Sequence, residues 1–60
     1  MKLWIVRDER GFCYVSKAEP FNYEGEWLCD YGMLFIGGVD DFSEVTFENS
    51  PQQVEIKLIK

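Results

Sequence analysis

The chain has 60 residues, 47% of them hydrophobic and 17% aromatic, with six Lys and Arg against eleven Asp and Glu and no histidine. That length allows one domain near the lower limit for independent folding, and the apolar content excludes a disordered tail. The net charge is −5, and between Lys17 and Lys57 lie nine carboxylates and no cation, so the middle of the chain carries a field that repels polyanions.

The apolar period is close to two, the spacing of strands. Residues 3–6 predict a first strand, with Leu3 and Ile5 on one face and Trp4 and Val6 on the other. Arg7, Asp8, Glu9 and Arg10 stop this run before it resembles a secretory signal. No apolar stretch is long enough to cross a bilayer. The expected address is cytoplasmic, with Cys13 and Cys29 as free thiols. Asp8-Glu9-Arg10-Gly11 reads as a hairpin loop ended by a left-handed glycine. Residues 12–17 return as strand two, with Phe12, Tyr14 and Ser16 opposite Cys13, Val15 and Lys17.

Pro20 ends that strand, and residues 21–25 predict a loop carrying Phe21 and Tyr23. Residues 26–31 predict strand three, with Trp27, Cys29 and Tyr31 sharing a face. Residues 33–36 form a short apolar strand between Gly32 and Gly37-Gly38. Asp40 is a candidate cap for one helical turn over 41–44. Residues 44–48 alternate, Val45 and Phe47 inward, and Asn49-Ser50-Pro51 turns the chain. Residues 54–60 then close it with Val54, Ile56 and Leu58 inward. The predicted fold is all-β: a single small domain over 1–60, a five- or six-stranded antiparallel meander forming an SH3-like barrel or a strongly twisted sheet. Its expected core is Leu3, Ile5, Val15, Leu28, Leu34, Ile36, Val45, Phe47, Val54, Ile56 and Leu58.

The opening Lys2-Leu3-Trp4-Ile5-Val6-Arg7-Asp8, with the aromatic strand after Gly11, resembles a family of short proteins from gut Bacteroidales. The segment from Phe42 to Pro51, with Val54-Glu55-Ile56, resembles the closing part of the same family. The likeness covers roughly half the chain. The family has no assigned activity, so it implies a bacterial, cytoplasmic, stand-alone protein and no catalytic or binding residue.

Without histidine the chain lacks the commonest general acid/base and metal ligand. Cys13 and Cys29 have no C-x-x-C spacing and read as buried structural thiols. Asp40, Asp41, Ser43 and Glu44 lack the spacing of a calcium loop, and Gly37-Gly38 has neither the Lys nor the helix of a phosphate loop. No cofactor and no metal are expected. A domain this small rarely offers a pocket of roughly 300 Å³ upward, so no small-molecule substrate and no enzymatic role are expected. Small β domains with aromatics invite single-strand binding, but the basic groove is missing. Arg7, Arg10 and Lys17 form the one local basic patch, interrupted by Asp8 and Glu9.

Ten aromatic residues in 60 exceed what so small a core readily covers. The candidate protein-contact surface is Tyr14, Phe21, Tyr23, Glu24, Glu26, Trp27, Asp30 and Tyr31, amphipathic rings among acids that would attract a basic partner. The expected occupant is a protein partner or a second copy, with neither nucleic acid nor membrane. An acidic decoy from a mobile element, imitating nucleic-acid phosphates, is one alternative. A purely structural domain, with the same rings completing the core, is the other.

Overall fold

A computed structural model of the chain describes residues 1–59. Six strands form: β1 (Lys2–Arg7), β2 (Cys13–Ser16), β3 (Phe21–Tyr23), β4 (Glu26–Leu28), β5 (Leu34–Gly37) and β6 (Gln52–Glu55). Every pairing is antiparallel, and no helix occurs among the described residues. The all-β expectation holds. The strands divide into a four-stranded sheet, ordered β5-β2-β1-β6, and a two-stranded sheet, β3-β4.

The first hairpin sets the register of the larger sheet. Asp8 Oδ1 accepts the N–H groups of Arg10 and Phe12, both at 2.9 Å, and Gly11 takes φ +97°, which its missing Cβ permits. Trp4 then pairs with Ser16 and Arg7 with Cys13. The other side of β1 receives β6, with Lys2 opposite Glu55 and Ile5 opposite Gln52. β5 joins β2 with a register shift between Cys13 and Tyr14, so clean alternation across β2 is lost there.

The order β5-β2-β1-β6 leaves two edges and is not closed. The sheet is thus no closed barrel, and the meander is interrupted because β3 and β4 pair with each other in a separate ladder. Five local readings also change. Residues 21–25 are strand and turn rather than loop, and strand three stops at Leu28. Residues 41–44 make no helical turn: the Gly38 N–H is accepted by Asp41 Oδ2 at 3.0 Å, and Asp40 caps nothing. Residues 44–48 are not a strand, although Val45 is buried, Phe47 half-buried and Glu48 exposed as their alternation implied. The last strand runs Gln52–Glu55 rather than over 54–60, residue 60 lying outside the described residues.

β1 has a strand on each side, and it supplies three of the five buried apolar residues: Leu3, Ile5 and Val6, with Cys13 and Val45. Burial of the adjacent Ile5 and Val6 means that both faces of β1 are covered. Of the wider predicted core, Val15, Ile36, Phe47 and Val54 are only half-buried. Leu28, Leu34, Ile56 and Leu58 are exposed, Leu58 at 84%.

Candidate protein-contact surface

The β3–β4 hairpin begins with two residues. Glu24 and Gly25 link the strands with φ of 52° and 87°, the paired positive angles of the turn whose twist matches antiparallel strands. Asn22 Oδ1 accepts the Gly25 N–H at 3.1 Å. Phe21 faces Leu28, Asn22 faces Trp27 and Tyr23 faces Glu26. Opposed residues share a face and neighbours alternate. Phe21, Tyr23, Glu26 and Leu28 therefore form one face, and Asn22 and Trp27 the other.

Trp27 fixes which face looks inward. Its indole N–H donates to the Arg7 carbonyl at 3.1 Å, and its ring meets Phe47 edge to face with centroids 6.3 Å apart. The hairpin is thus fastened to the end of β1. Its other face is left to solvent, with Phe21 49%, Tyr23 61% and Leu28 39% exposed. Leu28 belongs to this surface, a member that the alternation had assigned to the core.

The eight sequence candidates do not form one patch. Phe21, Tyr23 and Glu26 share the outer hairpin face, with Glu24 at its tip. Trp27 is a half-buried anchor. Tyr14 lies on β2, half-buried, its ring 5.9 Å from Phe35, which in turn stacks edge-on against Phe12 at 5.9 Å. Asp30 and Tyr31 occupy the turn closed by the Gly32 N–H on the Cys29 carbonyl at 3.0 Å, and Tyr31 is 84% exposed.

Arg7 is the residue whose role the sequence concealed. Its Nε donates to the Val45 carbonyl at 2.6 Å. One terminal nitrogen donates to the carbonyls of Gly11 and Gly38 (3.2 Å), the other to those of Asp41 and Phe42 (3.0 Å). Five N–H groups meet five carbonyls, the full capacity of a guanidinium. The Arg7 backbone N–H also donates to Ser50 Oγ at 3.0 Å. The basic patch predicted at the first hairpin is corrected accordingly: Arg7 is engaged in holding the loop over 38–45.

Two grooves flank these elements. One of about 520 Å³, between the first hairpin loop and the β3–β4 turn, is lined by Asp8, Arg10, Tyr14, Glu26 and Trp27 among others. Another of about 870 Å³ is mostly apolar, lined by Met1, Leu3, Val15, Tyr31 and Leu34, with Lys17 among its margins. Their volumes exceed what so short a chain was expected to offer. Neither groove is lined by a cysteine or by Ser50. Burial pushes the Cys13 thiol above its ordinary range; Arg7 pulls it partly back and Asp41 and Asp8 add to the rise, so the thiolate is suppressed. The Ser16 and Ser50 hydroxyls donate to the carbonyls of Ala18 and Thr46. Cys13 and Cys29 are both free, and no metal-holding group of three or more Cys, Asp or Glu side chains occurs among the described residues. No helix among them is long and apolar enough to cross a membrane. No protein-family model matches the chain, and no curated protein or solved structure matches it.

Proposed function

We propose that the chain is a small protein-interaction module that receives a basic protein partner on the outer face of its β3–β4 hairpin. The observation that carries this reading is that face itself: Phe21, Tyr23 and Leu28 lie open to solvent, beside Glu24 and Glu26, on a hairpin held from behind by Trp27. Large amphipathic rings on a supported element lose little entropy when they dock. The neighbouring carboxylates would speed encounter with Lys or Arg on the partner, most strongly at low salt.

In this reading the chain works as one domain, without cofactor or catalysis, in a bacterial cytoplasm as the resemblance to the Bacteroidales family implies. Nucleic acid is disfavoured by the net charge of −5 and by the engagement of Arg7 with carbonyls, which leaves few cations to neutralise phosphates. Pull-down from bacterial lysate tests the proposal, comparing the native chain with Phe21→Ala/Tyr23→Ala. A specific partner captured by the native chain, and lost by a variant with an unchanged circular dichroism spectrum, supports it. Capture that is indifferent to these substitutions overturns it. Capture abolished by moderate salt or by added DNA would assign the acidic decoy instead.

A further inference from the structure

β5 is a short edge strand without charge or proline. It lies within residues 31–39, nine positions without a charge, and Leu34 and Phe35 are 67% and 56% exposed. Beyond the ladder to β2, no hydrogen bond reaches the backbone of residues 34–36 among the described residues. Natural sheets guard such edges with charge, proline or a covering element. The opposite edge, β6, is guarded in this way, its sequence being Gln-Gln-Val-Glu. β5 has no such guard along its length, and the charges nearest it in sequence, Asp30, Asp40 and Asp41, are all negative, with Lys17 at the margin of the groove beside Leu34.

The same chain carries a segment of matching chemistry. After Ile56, which exchanges two backbone hydrogen bonds with Met1 at 2.7 and 3.2 Å, residues 57–59 leave both sheets. Their sequence is Lys-Leu-Ile, with Leu58 and Ile59 at 84% and 92% exposure. Among the described residues Lys57 is held only by an exposed ion pair with Glu55 at 3.5 Å. An extended apolar segment bearing a cation is what an apolar edge flanked by carboxylates would recruit. Two β5 edges paired antiparallel would instead bring Asp30 of one copy toward Asp40 of the other.

We infer that the 57–59 segment of one copy adds as a strand to the β5 edge of a second copy. Attachment within one chain is ruled out by reach. β6 and β5 stand three strand spacings apart, about 14 Å, whereas residues 57–59 span about 10 Å when fully extended. The contact supplies backbone hydrogen bonds to an unpaired edge and removes Leu58, Ile59, Leu34 and Phe35 from water, the mode of strand addition seen in peptide recognition. It uses no part of the outer hairpin face and is independent of the partner proposed there.

The test is sedimentation equilibrium of the native chain over a concentration series, beside Leu58→Asp/Ile59→Asp and Leu34→Lys. Concentration-dependent association is expected, weakened roughly tenfold or more by either change, the effect of losing a buried apolar side chain. Both substitutions fall at exposed positions, so folding is retained and circular dichroism checks it. A fluorescent peptide of residues 54–60 should bind saturably to Leu58→Asp/Ile59→Asp, whose β5 is intact, and not to Leu34→Lys. A native chain that stays monomeric at its highest soluble concentration overturns the proposal. Association that survives in the tail variant overturns it too and assigns the contact to β5 pairing with itself.

Discussion

The guanidinium of Arg7 donates to the carbonyls of Gly11, Gly38, Asp41, Phe42 and Val45, and these belong to two loops distant in sequence. A loop outside the ladders must find partners for its backbone groups elsewhere. Here one side chain supplies them, and a planar fork of five donors is the only side chain that can. Lysine has the same charge but three donors on a single atom, so it cannot span this set. Arg7→Lys is therefore expected to lower stability by about 2 kcal/mol, within the range for hydrogen bonds to charged groups. A shift of the urea midpoint with an unchanged slope would measure it. If stability changes by less than about 0.5 kcal/mol, water serves these carbonyls equally well and the loop does not depend on Arg7.

At the scale of elements, the β3–β4 hairpin is the part that could not stand alone, since an isolated two-stranded ribbon is marginal in water. Its attachment runs through Trp27, by one hydrogen bond to Arg7 and one ring contact to Phe47. Trp27→Phe removes the N–H and keeps much of the ring. The hairpin amides are expected to exchange with solvent faster while those of β1 and β2 keep their protection, as befits a unit that opens locally. Uniform acceleration across all strands would show instead that the hairpin opens only with global unfolding. The sequence made β1, the Gly11 turn and β5 legible, because alternation and punctuation agree there. It misled at residues 44–48, where the alternation is genuine but the backbone is spoken for. Thr46 N–H bonds Asn49 Oδ1, Asn49 N–H bonds Thr46 Oγ1, and Ser50 Oγ donates to the Thr46 carbonyl, local bonds that compete with a ladder. It misled again after Glu55, because the ladder to β1 ends at the pair Lys2–Glu55. No periodicity in the strand itself records where its neighbour stops. Of the candidate surface, Phe21 and Tyr23 were legible as excess aromatics. Leu28 was not, since its face follows from pairing with Phe21, in a stretch that the sequence pattern reads as loop.

At the scale of the whole molecule, the small size of the fully covered core governs everything else. Val6 and Cys13 have no exposure at all, and Leu3, Ile5 and Val45 nearly complete the set. A domain of this size holds about 3–5 kcal/mol of stability from such a core, so its few buried side chains carry unequal weight. Val6→Ala deletes two methyl groups where both sheet faces are sealed, and is expected to cost about 2 kcal/mol. Ile56→Ala, in a segment past the end of β6 and 52% exposed, is expected to cost less than about 0.5 kcal/mol, the range of ordinary surface changes. The alternating pattern of residues 54–58 alone would have predicted the reverse emphasis, with Ile56 as deep as any core residue. Urea unfolding of both variants at low protein concentration separates the two pictures, because dilution removes any stabilisation gained through association. Equal losses would mean that the C-terminal segment folds back over the sheet of its own chain. A loss at Val6 alone would leave Ile56, Leu58 and Ile59 as apolar surface not used by the monomer, the condition that strand addition to a second copy requires.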